Sequence, residues 1–191
     1  MGAAGREHHA TAPQAQAQAQ AHEQVWDVLV RLFHWTLVVA FATAWASADE
    51  RQWLHELAGY LIVALLVARV LWGFIGEPHA RFRDFVRRPV VVARYLADEL
   101  RGRAARYLGH NPAGGAMVIA MLLTLALTTA TGILMSQGVP GGGEWLEEVH
   151  EFCAGFALFL VVLHVAGVIW SSALQHENLV KAMLTGRKRL D

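Results

Sequence analysis

Residues Glu147–Ser171 read EEVHEFCAGFALFLVVLHVAGVIWS, and this stretch decides the fold. It is almost wholly apolar after its first turn and long enough to cross a bilayer as a helix. Two histidines, His150 and His164, lie in it fourteen residues apart. At about 100° and about 1.5 Å per residue, a helix places them on one face, about 21 Å apart along its axis. Ionisable side chains inside a membrane helix are energetically unfavourable, so we interpret both as functional residues.

The composition agrees with a membrane protein. Of 191 residues, 55 % are hydrophobic and 17 % are charged, which is too apolar for an ordinary soluble domain. The single cysteine, Cys153, excludes an internal disulfide and any multi-cysteine zinc or iron–sulfur site within one chain. Metal chemistry would therefore rest mainly on the ten histidines.

The chain divides into a polar arm and one apolar domain. Residues 1–24 are small, polar and repetitive, which predicts a disordered N-terminal arm. Residues 25–191 form the domain, with spanning helices predicted over about 29–48, 53–75, 113–135 and 147–171. The expected fold class is all-α, an integral membrane four-helix bundle.

The segment 77–109, between the second and third spans, carries eight arginines. Within it, residues 90–108 (VVVARYLADELRGRAARYL) have helical spacing, with Tyr95, Leu96 and Leu100 on an apolar stripe. This predicts an additional interfacial helix in the cytoplasmic loop. Arginine clusters also occur in nucleic-acid-binding proteins, but beside a membrane span contact with anionic lipid is the better interpretation. We expect no nucleic-acid partner.

Charge predicts the orientation. Basic residues near spans mark the cytoplasmic side, and here they fall in the 77–109 loop and the C-terminal tail. The first and the last links between spans are short. Together with the helix start that follows the last link, they carry five acidic residues and one basic residue, Arg51. We therefore expect a multi-pass protein of the bacterial cytoplasmic (inner) membrane with both termini in the cytoplasm.

With this topology, four histidines fall at two depths of the bilayer. His34 and His164 lie at the cytoplasmic level, and His55 and His150 at the periplasmic level, so each level can hold two facing imidazoles. Two imidazoles on facing helices suit b-type haem, and they leave its iron no open position for oxygen. A single histidine on an apolar face is more often a packed core residue, but four that pair by depth favour two haems b. Zinc is a weaker candidate, because zinc sites contain three or four protein ligands in one cluster and each level here offers two.

Other residues are candidates for contacts with these cofactors and a substrate. Arg31 and Arg69 lie where their side chains can reach haem propionates. His110 and Asn111, at the cytoplasmic entrance of the third span, carry an imidazole and an amide that can donate hydrogen bonds; the family resemblance given below implies quinone carbonyls as their acceptors. The alternative is that Asn111 only caps the third helix in an Asx turn.

Three stretches resemble the prokaryotic cytochrome b561 family, which includes the cytochrome b subunits of nickel–iron hydrogenases. They are RLFHW at 31–35, WLHELAGYLIVALLVARVLWGFIG at 53–76 and VHEFCAGFALFLVVLHVAGV at 149–168. The resemblance implies a four-helix membrane bundle that holds two haems b and exchanges electrons with quinone. The ligand pattern of the family falls on His34, His55, His150 and His164.

We therefore expect a dihaem cytochrome b that carries electrons across the membrane between a periplasmic redox partner and the quinone pool. The acidic outer links favour a basic partner such as a c-type cytochrome. Alternatives are an anchor subunit of a hydrogenase or other dehydrogenase, a superoxide-oxidising quinone reductase, and a histidine-based ion transporter. The acidic links argue against collecting anionic superoxide, and the lack of broken helices or inverted repeats argues against a transporter.

Overall fold

The structure, a computed structural model, describes residues 22–190 and is dominated by four long helices. These are α1 (Val28–Ser47), α2 (Gln52–Ile75), α5 (Pro112–Ser136) and α6 (Gly143–Leu174). The shorter elements are α3 (Phe82–Phe85), α4 (Pro89–Leu100), α7 (Leu179–Thr185) and the strands β1 (His22–Gln24) and β2 (Arg187–Arg189).

The four long helices are each long and apolar enough to span a membrane. Helix α1 packs against α2, α5 packs against α6, and α2 contacts α5, so two helical hairpins associate into one bundle. Large apolar side chains cover its outside; Phe74, Ile75 and Phe152 are 70 %, 77 % and 73 % exposed. Such an apolar outer surface is typical of lipid contact. The predicted all-α membrane bundle is confirmed.

The bundle has two chemically different ends. Its basic end carries the segment 77–109 and the tail after α6, and its acidic end carries the links 48–51 and 137–142 with the helix turns beside them. An apolar layer separates the ends. Five buried residues from the four long helices form this layer: Ala40, Ile62, Leu66, Leu125 and Ala157.

A capping residue connects two helices at the basic end. The Asp27 carboxylate accepts a hydrogen bond from the Val30 backbone nitrogen at 2.8 Å, which starts α1. The same carboxylate accepts a bond from Trp72 Nε1 at 3.0 Å. The first turn of α1 is therefore held against the last turn of α2.

The end of the predicted disordered arm is ordered. Residues His22–Gln24 form β1 and pair antiparallel with Arg187–Arg189. The strand forms because the chain beside it is anchored: Val25 and Trp26 are buried and donate backbone hydrogen bonds to the Gly186 carbonyl. The prediction for residues 1–21 lies outside the described residues.

The bounds of three spans differ by no more than one residue from the prediction, whereas α6 is longer at both ends than 147–171. The helix predicted over 90–108 exists only as α4, because Gly102, with φ +67°, follows its end. Its inward face is also different from the predicted stripe. Tyr95 and Glu99 are buried, while Leu96 and Leu100 are 46 % and 79 % exposed.

Candidate functional site

Two histidines face each other near the basic end of the bundle. His34 of α1 and His164 of α6 have ring centres 6.3 Å apart, with planes inclined at 56°. The rings come from helices at opposite ends of the sequence. We call them the basic-end pair.

A second pair lies beyond the apolar layer. His55 of α2 and His150 of α6 have ring centres 6.0 Å apart, inclined at 72°. In α6, Ala157 of the apolar layer is seven residues from each histidine, so the two pairs are on opposite sides of that layer. We call this the acidic-end pair.

The spacing within each pair suits a single metal ion between the rings. Two metal–nitrogen bonds of about 2.0 Å, with the half-width of each ring, add to roughly 6 Å between ring centres. Within residues 22–190 no cluster of three or more His, Cys, Asp or Glu is arranged to hold a metal ion. The pairs thus fit an ion whose remaining ligands come from a cofactor, as in haem.

The acidic-end rings are oriented by hydrogen bonds at Nδ1. His55 Nδ1 lies 2.9 Å from the Ala44 carbonyl, and His150 Nδ1 lies 3.0 Å from the Thr128 carbonyl. A carbonyl oxygen only accepts, so in each ring Nδ1 carries the proton. The Nε2 lone pair of each ring is then available for a metal.

Gly132 of α5 allows His150 to approach. A Cβ at Gly132 would lie 3.1 Å from His150 Cε1 and 3.4 Å from its Nδ1. We expect Gly132→Val to displace the ring and lower cofactor occupancy at the acidic-end pair alone, measured as haem per chain. Gly143→Val is the control, since beyond the adjacent helix backbone no atom of residues 22–190 lies within 4 Å of a Cβ there. Equal haem content in the two variants would contradict this role.

Each predicted propionate-binding arginine has at least one guanidinium nitrogen with a hydrogen bond and one that is buried without a partner in the described chain. Arg31 Nη1 donates to the Leu184 carbonyl at 2.6 Å, and Arg69 Nη2 donates to the Ala80 carbonyl at 3.0 Å. Arg31 Nε and Arg69 Nη1 are buried without a hydrogen-bond partner in the described chain. Both therefore keep a donor for an anionic group, and their contact with propionates stays a prediction.

The two residues predicted to bind quinone have different environments. Asn111 is the N-cap of α5, and its side-chain oxygen accepts from Gly114 N at 2.6 Å. The side-chain oxygen of Asn111 therefore caps the helix, as in the alternative to quinone binding. His110 lies between Trp26 and Phe85, with ring centres 4.6 and 4.7 Å away. It also borders a cavity of about 280 Å³ whose lining includes Arg87, Tyr107 and Leu108.

The burial of His110 predicts that the folded protein loses stability at acidic pH. Burial lowers its pKa to about 3, and the charge of Arg69 acts in the same direction. In the unfolded chain the pKa of the His110 imidazole is about 6.5. The contribution of neutral, buried His110 to folding stability is therefore complete above about pH 6.5 and is lost as the pH falls toward about 3. We expect the melting temperature in detergent to fall less between about pH 7 and 5 in His110→Phe than in wild type. An equal fall in melting temperature in the two proteins would contradict this effect of His110. His176→Phe, a substitution on the surface, is the control.

One buried contact has no clear sequence signal. Glu99 of α4 accepts a hydrogen bond from Ser171 Oγ of α6 at 2.5 Å and is only 7 % exposed. Burial raises the pKa of the neighbouring Tyr95 phenol, and Glu99 acts in the same direction. The contact holds α4 against the basic end of the bundle. In the sequence, Glu99 reads as one of many charges on an interfacial helix.

Comparison with known proteins agrees with this geometry. The sequence profile described as prokaryotic cytochrome b561 matches residues 25–186. A Probable Ni/Fe-hydrogenase B-type cytochrome subunit of Cupriavidus necator is 24 % identical, with 85 % of each chain covered. The protein of the same description from Azotobacter chroococcum mcd 1 is 23 % identical, with 91 % of each chain covered. No solved structure shows a significant match.

Four spanning helices with histidine pairs between them define the class of membrane b-type cytochromes. With a match over nearly all of the described residues, the chain belongs to the prokaryotic cytochrome b561 family. It is therefore a multi-pass membrane cytochrome that carries haem b and transfers electrons.

Proposed function

We propose that this protein holds two haems b and carries electrons across the cytoplasmic membrane. His34 and His164 would hold the iron of one haem, and His55 and His150 would hold the iron of the other. The observation that carries this proposal is the presence of two imidazole pairs, 6.3 and 6.0 Å between ring centres, on opposite sides of one apolar layer.

The chain supplies binding, orientation and exclusion of water, and the bound haem supplies a one-electron iron couple. With two imidazoles of the chain holding each iron, a bound haem would supply electron transfer rather than oxygen activation. Fourteen residues of α6 separate His150 from His164, a rise of about 21 Å. Electrons would thus travel along the bundle from one end to the other.

Charge supports an orientation with the basic end in the cytoplasm. The 77–109 loop and the C-terminal tail carry the excess of arginine and lysine, so both termini would be cytoplasmic. The acidic end would then face the periplasm. The acidic side chains there would attract a basic redox partner, such as a c-type cytochrome.

At the basic end, the cavity beside His110 is the candidate quinone site. Its lining combines the aromatic and apolar side chains of Phe85, Tyr107 and Leu108 with the imidazole of His110. A quinone ring needs flat apolar contacts and polar groups for its carbonyls, and this lining offers both. His110 Nδ1 is buried and has no hydrogen-bond partner in the described chain.

A second candidate function is that of a subunit connecting a hydrogenase to quinone. The relatives that carry hydrogenase in their names favour it. This alternative uses the same haem ligands and differs only in the partner at the acidic end. Co-purification with a large catalytic subunit would distinguish it from an independent carrier.

Transmembrane electron transfer tests the proposed function. Vesicles containing the protein are loaded with ferricyanide, and a membrane-impermeant reductant is added outside. We expect ferricyanide reduction with the wild type and its loss with His55→Ala, because one of the two haems is then missing. A wild type that binds two haems but transfers no electrons, or a variant as fast as wild type, would contradict the proposal.

A further inference from the structure

The two histidine pairs differ in their hydrogen bonds. Both acidic-end rings use Nδ1: His55 toward the Ala44 carbonyl, and His150 toward the Thr128 carbonyl and Thr131 Oγ1, which is 3.2 Å away. At the basic end, His34 Nδ1 is buried without a partner in the part of the chain described. Within residues 22–190 the ring of His164 also makes no hydrogen bond, although it faces His34.

Local structure explains why these acceptors exist. Ala44 lies in the last turn of α1, and its carbonyl accepts from His55 Nδ1 at 2.9 Å and from Ser47 Oγ at 3.4 Å. On α5, the Thr131 hydroxyl is bonded to the carbonyls of Leu127 and Thr128 at 3.0 and 2.8 Å. Because its proton points to a carbonyl, Thr131 Oγ1 is available to accept from His150.

The charged residues near the two histidine pairs also differ. The acidic-end histidines are each followed directly by a glutamate, Glu56 and Glu151. The basic-end pair instead has Arg31 one helical turn before His34. Arg69, which is 4 % exposed, also lies toward the basic end, with Asp27 as a nearby counter-charge.

Both differences act on the reduction potential of a metal held by the rings. An imidazole that donates from Nδ1 to a carbonyl is a more basic ligand, and it stabilises the oxidised metal. A neighbouring negative charge disfavours adding an electron, and a positive charge favours it. Hydrogen bonding and charge therefore agree in sign.

We propose that Thr131, with the carbonyls of Ala44 and Thr128, tunes the acidic-end pair so that its haem has the lower reduction potential. An electron would then be more stable on the haem of the basic-end pair. The proposal rests on the proposed function, because it requires a haem at each pair. Thr131 is a positioning residue that acts on the iron only through the His150 ring.

Redox titration of single-haem variants tests the order of the potentials. His34→Ala retains the acidic-end haem and is expected to show the lower of the two wild-type midpoint potentials. His55→Ala retains the basic-end haem and is expected to show the higher one. The reverse order, or equal potentials, would contradict the inference. A wild type without two haems would instead refute the proposed function.

Thr131 variants test the hydrogen bond itself. Thr131→Val removes one acceptor of the His150 proton, so the lower potential should shift in the positive direction while the higher one stays. Thr131→Ser keeps the hydroxyl and should restore the wild-type value. Thr129→Val is the matched control on α5, since among residues 22–190 the Thr129 hydroxyl bonds only to the carbonyls of Leu125 and Ala126. A shift of the higher potential, or no shift, would contradict the role of Thr131.

Discussion

His55→Ala is expected to yield a folded protein that binds one haem per chain instead of two. The substitution removes one ring of the acidic-end pair and leaves His34 and His164, 6.3 Å apart beyond the apolar layer, untouched. With only His150 left to hold its iron, a haem at this pair would be bound less firmly and would be lost on purification. The measurement is the pyridine haemochrome content per chain of protein purified in detergent.

The matched variant His34→Ala should also bind one haem, but the other one. Because the two haems have different surroundings, the two variants should have different spectra, and because the two sites are separate, these spectra should add up to that of the wild type. His176→Ala, outside both pairs, should keep both haems. If one variant lost both haems and the other lost none, the assignment of the pairs would be wrong.

Gly59→Leu is expected to lower haem binding at the acidic-end pair with little effect on the fold. Gly59 follows His55 by one helical turn, and apart from the neighbouring backbone of its own helix, no atom of the described chain lies within 4 Å of a Cβ there. Within a helix, leucine is favoured over glycine by roughly 0.8 kcal/mol, so the protein alone should tolerate it. A macrocycle beside His55 would collide with the added side chain.

The control for Gly59→Leu is Tyr60→Leu, at a neighbouring position that is 47 % exposed on the outside of the bundle. It should bind haem as the wild type does. Haem content and melting temperature are measured together, so that loss of cofactor can be separated from loss of fold. A Gly59→Leu protein with two haems would show that no macrocycle lies beside this glycine.

Much of the architecture could be predicted because a membrane limits the choices. Long apolar runs define four helices, and short links force neighbouring helices to be antiparallel. Depth then follows from position along the helix, which is why His34 was matched with His164 and His55 with His150. The structure brings both predicted pairs together.

The parts that were missed depend on long-range contacts of polar groups. Residues His22–Gln24 form a strand only because the far end of the chain supplies its partner. Glu99 is buried because Ser171, far away in sequence, donates to it. The Nδ1 bonds of His55 and His150 involve backbone carbonyls, and sequence patterns carry no signal for such acceptors.

Haem stoichiometry combined with electron paramagnetic resonance of the oxidised wild-type protein tests the central claim most directly. If each pair binds one iron through both imidazoles, the purified protein should contain two haems b per chain, and both should give low-spin signals of six-coordinate iron. A single haem per chain, or a high-spin signal from iron with only one protein ligand, would contradict the account.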